Sequence, residues 1–196
     1  MKEPIELLRE SGAMLEGHFL LSSGKHSDKY FQCARLLQHP PMAAAALSPV
    51  AEQIRAAVDS GALAVDAVAG PAIGGIVAAY ELGRQLGMRS FFTERDDCGS
   101  MALRRGFQVK SGEKILICED VITTGKSLGE SAKVLESLGA NITAVACIVD
   151  RRPPGAEVPW PLDAAVKVDA KSWEPENCAL CEKGIPAVKP GSRKTV

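Results

Sequence analysis

Glu119 and Asp120 stand side by side and are followed closely by Thr123, Thr124, Gly125, Lys126 and Ser127. The three hydroxyls can donate to phosphate oxygens, and Gly125 allows a ligand to approach the backbone closely. Ionised carboxylates only accept hydrogen bonds, and beside a phosphate they would repel it. They must therefore face another part of the same ligand. Vicinal sugar hydroxyls are the complement, because each is a donor. A ribose 5-phosphate fits, with its hydroxyls toward the acids and its phosphate in the loop.

Two elements must position these groups. Residues 115–118, Ile-Leu-Ile-Cys, are too few and too uniformly apolar for an amphipathic helix and predict a core strand. From Ser127 onward Leu128, Ala132, Leu135 and Leu138 recur at helical spacing, with Gly139 as a stop. The loop between them thus lies at the carboxyl end of a strand and the amino end of a helix. Free N–H groups and the helix dipole favour a phosphate there. A Walker A loop fails, because it needs glycine where Asp120 stands. A plain turn and helix capped by Thr123 or Thr124 would explain the hydroxyls, but not two consecutive acids.

Residues 65–69 predict another short strand, followed by Gly70-Pro71-Ala72-Ile73-Gly74-Gly75 and an apolar helix to Leu86. This is a second candidate anion loop on the same sheet edge, or only a tight connection. Further strands are expected over 90–93, 142–149 and 164–168, and helices over 5–15 and 41–58. Residues 17–32 read as a hairpin with a Ser/Gly turn. Residues 94–107 read as a mobile loop or loose hairpin carrying Arg95, Arg104 and Arg105. These arginines are either solvated charges or a lid that neutralises an anionic leaving group. Strands alternating with helices predict an α/β fold with a mostly parallel central sheet flanked by helices.

With 196 residues, 46% hydrophobic content and a formal charge of -1, the chain reads as one soluble domain. Residues 1–40 would form an N-terminal helix and cap, 41–170 the core, and 171–196 a tail. There is no basic excess for nucleic acid, no membrane-length apolar run and no signal-peptide pattern, so a cytoplasmic location is expected. Cys33, Cys98, Cys118, Cys147, Cys178 and Cys181 suit a reducing compartment. Cys178 and Cys181 have metal-ligand spacing, but no second close pair accompanies them. Two inert or loosely paired thiols in a tail are expected rather than zinc, for which a partner subunit would have to supply the missing ligands.

The run from Glu119 through Asp120, Val121, Ile122, Thr123, Thr124, Gly125 and Lys126 to Ser127 resembles the phosphoribosyl pyrophosphate (PRPP) motif of type I phosphoribosyltransferases. The resemblance implies that these residues hold PRPP, and that Ala72, Ile73 and Gly74 of the second loop hold its pyrophosphate. It implies Mg2+ carried by PRPP itself, with no metal bound by the protein alone. Within that class, Phe19-Leu20-Leu21-Ser22-Ser23-Gly24-Lys25-His26-Ser27 and Tyr30-Phe31-Gln32 resemble the base-capping hood of orotate phosphoribosyltransferases, in a divergent bacterial branch. Ser22 stands where that family often has lysine, and Lys25 is the candidate substitute.

By the same resemblance Thr123, Arg151, Tyr30 and Phe31 would bind orotate, and Arg95, Arg104 and Arg105 would be catalytic. A guanidinium at 151 suits the carboxylate of orotate, whereas Arg151 and Arg152 could instead only decorate a turn. Phe19, Tyr30 and Phe31 could likewise be plain core aromatics. The family's shared loop implies a homodimer. A purine phosphoribosyltransferase and a non-catalytic PRPP- or nucleotide-sensing regulator are the rival readings.

Overall fold

The computed structural model describes residues 2–21 and 23–190. Ser22 and the last residues of the predicted tail lie outside them. The apolar run at 115–118 is the middle of a longer strand, β6 (Lys114–Ile122). It pairs in parallel with β3 (Ala67–Pro71) on one side and β7 (Asn141–Asp150) on the other. The β7 ladder continues as far as Ile122 opposite Asp150, so Glu119 and Asp120 belong to the strand and not to the loop.

Beyond β3 lies β4 (Arg89–Arg95), then the short antiparallel β5 (Met101–Ala102), and β8 (Leu162–Lys167) flanks β7. The six-stranded order is β5-β4-β3-β6-β7-β8. Each face of this sheet is covered. Leu116, Cys118, Ala144, Ala146 and Ile148 pack in one cluster with residues of α3 (Pro40–Asp59) and α4 (Gly74–Leu86). Ile115, Ile117, Val145 and Cys147 pack on the other face with Leu128, Ala132 and Leu135 of α5 (Lys126–Ser137). Burial on two faces is why β6 reads as a continuous apolar run instead of an alternating one.

The expectation of one helix over 5–15 is corrected. Helix α1 (Pro4–Glu10) carries a Glu3/Glu6 capping box, and the chain then turns at Gly12, where φ is +65°. Leu15 belongs to β1 (Met14–Leu20), which pairs antiparallel with β2 (His26–Phe31) to form the predicted hood hairpin. A short α2 (Ala34–Leu37), which has no clear periodic signature, follows the hood.

The described part of the tail, residues 171–190, carries regular structure. Strand β9 (Ser172–Trp173) adds to β2 to make a three-stranded sheet, and a 3-10 turn (Pro175–Asn177) leads to α6 (Ala179–Glu182). Val188 donates its N–H to the His18 carbonyl at 2.8 Å. Nothing in residues 171–190 alone signals this, because its partners lie in the N-terminal hairpin. Among the described residues no helix is long and apolar enough to cross a membrane.

Candidate active site

The end of β6 delivers both acids to the carboxyl edge of the sheet. Burial, reinforced by the neighbouring Asp120 charge, raises the Glu119 carboxyl to about 8. Burial also raises Asp120, opposed by hydrogen bonds from the Val121 N–H and its own. No cation contributes to the ionisation of either acid. Two adjacent desolvated carboxyls without a counter-charge lower stability, which makes them candidates for a ligand site.

The glycine loop packs directly against this pair. A Cβ on Gly74 would fall 2.2 Å from Asp120 Oδ2, and one on Gly70 would fall 2.1 Å from the Gly75 carbonyl. Only glycine fits either position. The Ala72 N–H donates to the Thr93 carbonyl at 2.7 Å, the Ala72–Ile73 peptide is cis, and the Ile73 side chain is exposed. Ala72, Ile73 and Gly74 therefore border the same edge as Glu119 and Asp120.

Thr123 and Thr124 are exposed after β6, and Gly125, at φ +70°, is the N-cap residue of α5. The N-cap is thus Gly125 and neither Thr123 nor Thr124, contrary to the reading of a threonine cap. The Lys126 N–H reaches Thr124 Oγ1 at 3.4 Å, and Lys126 Nζ stands 4.0 Å from Glu130. Uncapped N–H groups at a helix start are an anion cradle.

Within the 94–107 segment Glu94 and Arg95 pair antiparallel with Ala102 and Met101 to form a hairpin. Asp96 Oδ1 accepts from the N–H groups of Cys98 and Ser100 at 2.9 Å each, and Phe107 packs against Phe91 and Phe92. All three arginines have acidic partners. Arg95 bridges the Gly99 carbonyl at 2.6 Å and Glu130 of α5. Arg105 grips Glu94 with two hydrogen bonds of 2.7 and 2.9 Å, and Arg104 stands 3.9 Å from the same carboxylate. The Arg105 hydrogen bond holds the Glu94 carboxyl below its ordinary value.

Arg151 follows β7, and its N–H donates to the Ile122 carbonyl at 2.9 Å, which sets it beside Thr123. Its guanidinium donates to Ser27 Oγ at 3.2 Å and lies 5.8 Å from the Phe31 ring centroid. Burial lowers its pKa, with Asp28 and Tyr30 opposing. Arg152 differs: it makes two hydrogen bonds of 2.9 Å to Asp150 and is a structural ion pair. Phe31 is buried in the main apolar cluster, so the core-aromatic reading holds for its ring. Tyr30 is half-buried, with its hydroxyl 3.2 Å from Gln32 Oε1. Lys25 is engaged by Glu174 at 2.8 Å.

Sequence reasoning passed over Asp28. Its Oδ1 is the one buried side-chain oxygen without a hydrogen-bond partner among the described residues. Its position within the hood run was the available signal. The expectation that Cys178 and Cys181 lack companions is also overturned. His18 and His26 of the hood bring their ring nitrogens to the two thiols, all four donor atoms lying within 4.8 Å of one another.

The chain matches the phosphoribosyl transferase domain over residues 34–160 and belongs to that family. It is 47% identical, over 97% of its length and 96% of the relative's, to an orotate phosphoribosyltransferase of Caldicellulosiruptor bescii. Among solved structures it is similar to orotate phosphoribosyltransferase from Aeropyrum pernix (TM-score 0.61, 27% identity, 83% of this chain and 92% of that one). The Mycobacterium tuberculosis H37Rv orotate phosphoribosyltransferase in complex with inorganic phosphate shares the fold (TM-score 0.63, 23% identity, 84% and 93%).

Proposed function

We propose that this protein is an orotate phosphoribosyltransferase, which moves the ribose 5-phosphate of PRPP onto orotate to give orotidine 5′-phosphate and pyrophosphate in pyrimidine biosynthesis. The observation that carries the reading is the 47% identity to the C. bescii enzyme across nearly the whole of both chains. The site supplies a consistent mechanism. Glu119 and Asp120 accept from the ribose hydroxyls and favour positive charge as it develops on the sugar. The N–H groups and hydroxyls from Thr123 to Ser127 take the 5′-phosphate, and Ala72 to Gly74 border the pyrophosphate.

At the anomeric carbon the bond to pyrophosphate oxygen breaks and the bond to the base nitrogen forms, with no protein nucleophile. The chain contributes alignment and charge neutralisation. Arg95, Arg104 or Arg105, released from its acid, meets the departing pyrophosphate. Arg151 receives the orotate carboxylate, and the unpartnered Asp28 Oδ1 accepts from a pyrimidine N–H. The buried acid pair, lacking a counter-cation, fits a hydrated Mg2+ brought in by PRPP, which would offset phosphate charge.

A homodimer is part of this reading, supported by an apolar stripe that runs from the N-cap residue Ile73 along α4. There Ile73, Val77 and Tyr80 are 85%, 42% and 66% exposed. The cytoplasm is its proposed location, with no nucleic acid or membrane involved. Incubation with PRPP, Mg2+ and orotate, adenine, hypoxanthine or uracil tests the assignment. Nucleotide should form with orotate alone; formation from a purine, or no nucleotide with any of the four bases, would transfer the protein to one of the rival readings.

A further inference from the structure

We infer that His18, His26, Cys178 and Cys181 form a structural zinc site that staples the C-terminal tail to the hood. The sulfur–nitrogen separations lie near the edges of a tetrahedral ion's shell, and the two ring nitrogens need part by only about 0.5 Å to complete it. Zinc bonds of about 2.0–2.3 Å give tetrahedral edges of about 3.3–3.8 Å. Cys178 Sγ lies 3.4 Å from His18 Nε2, Cys181 Sγ lies 3.3 Å from His26 Nδ1 and 3.9 Å from His18 Nε2, and the two ring nitrogens are 2.8 Å apart. The rings meet edge to face, 68° apart, so both can aim at one centre.

The surroundings are those of a metal ligand set. His18 Nδ1 is 2.6 Å from the Ile185 carbonyl, which can only accept, so Nδ1 carries the proton and Nε2 offers its lone pair inward. Gly184, at φ +70°, turns the chain to bring that carbonyl back. The two thiols are free, and Cys178 is only 1% exposed. A mixed set of two sulfurs and two imidazoles suits zinc, and four protein donors leave no open position for catalysis.

Packing alone does not explain why the tail stays. Cys178 is the only buried residue of 171–190, and Ile185 and Val188 are 43% and 57% exposed. A segment with so little apolar burial needs a cross-link to repay its ordering entropy. Strand β9 pairs with β2 at His26 and Ser27, and Ser27 Oγ also donates to the Lys171 carbonyl at 2.8 Å. The ion thus holds the strand that carries Ser27 and Asp28 opposite Arg151.

The test is metal analysis of the full chain purified from zinc-containing medium without chelators. One zinc per chain is expected, with X-ray absorption showing two sulfur and two nitrogen neighbours. The Cys178→Ser/Cys181→Ser double variant should bind none. Should that variant fail to fold, wild-type protein stripped of metal and refolded with Co2+ should develop thiolate-to-cobalt charge-transfer absorption. Trypsin should cut it at Lys171 or Lys183 faster before metal is restored than after. Zinc-free protein that takes up no Co2+, or zinc retained by the double variant, would overturn the proposal. None of these readouts depends on transferase activity.

Discussion

At the scale of single residues, Glu119 and Arg151 carry opposite electrostatic burdens. The Glu119 carboxyl titrates at about 8 in the folded chain against an ordinary 4.5, so the fold prefers it protonated. Its contribution is fully present below the ordinary value and is lost as pH rises through about 8. The ligand-free protein should therefore lose thermal stability across that window, and Glu119→Gln should flatten the loss. Parallel melting curves for the two proteins would refute this. On the proposed role of Arg151, Arg151→Ala should remove a charge-assisted pair to the base carboxylate, worth about 2 kcal/mol or roughly 30-fold in kcat/KM for orotate. PRPP affinity, measured by calorimetry, should change far less; equal loss of both would remove the role given to Arg151. Glu119, Asp120 and Arg151 were legible as residue types in an ordered pattern. Asp28 was not, because an unsatisfied oxygen is a property of packing.

At the scale of elements, the glycine loop touches the end of β6 through Gly74. Gly74→Ala would drive a methyl into the Asp120 carboxylate, at a cost of about 1–3 kcal/mol, and should abolish turnover even in protein that still folds. Gly129→Ala in α5 is the contrast. Apart from its chain neighbours and its own helix backbone, no atom lies within 4 Å of the added methyl, so thermal unfolding should show a gain of about 0.5–1 kcal/mol. The core strand and the helix after it were legible because uniform apolarity and helical spacing are local signals. That the acids sit inside the strand was not, since its length is set by how far β7 runs beside it. The end of α1 was missed for a related reason. Leu15 suits a helical face, but the hairpin ladder with Tyr30 outweighs that local preference.

At the scale of the whole molecule, the exposed stripe of Ile73, Val77 and Tyr80 is proposed to be covered by a second copy. A Tyr80→Glu variant should shift the protein from dimer toward monomer in light scattering coupled to gel filtration. An unchanged mass would send the search for an interface elsewhere. The tail shows the limit of reading along a chain. His18 and Cys178 meet although 160 positions separate them, so their spacing carries no warning of the encounter. Only the folded hood brings them together.

Glu94 clasps both Arg104 and Arg105 in the ligand-free protein. Recruiting either arginine is then an exchange reaction, in which an incoming polyanion must outbid a resident carboxylate. The net gain is a difference between two ion pairs rather than the strength of one. A monovalent anion gains little from such an exchange and a pyrophosphate with several charges gains more, so on the proposed mechanism Glu94 would act as a valence filter in front of the site.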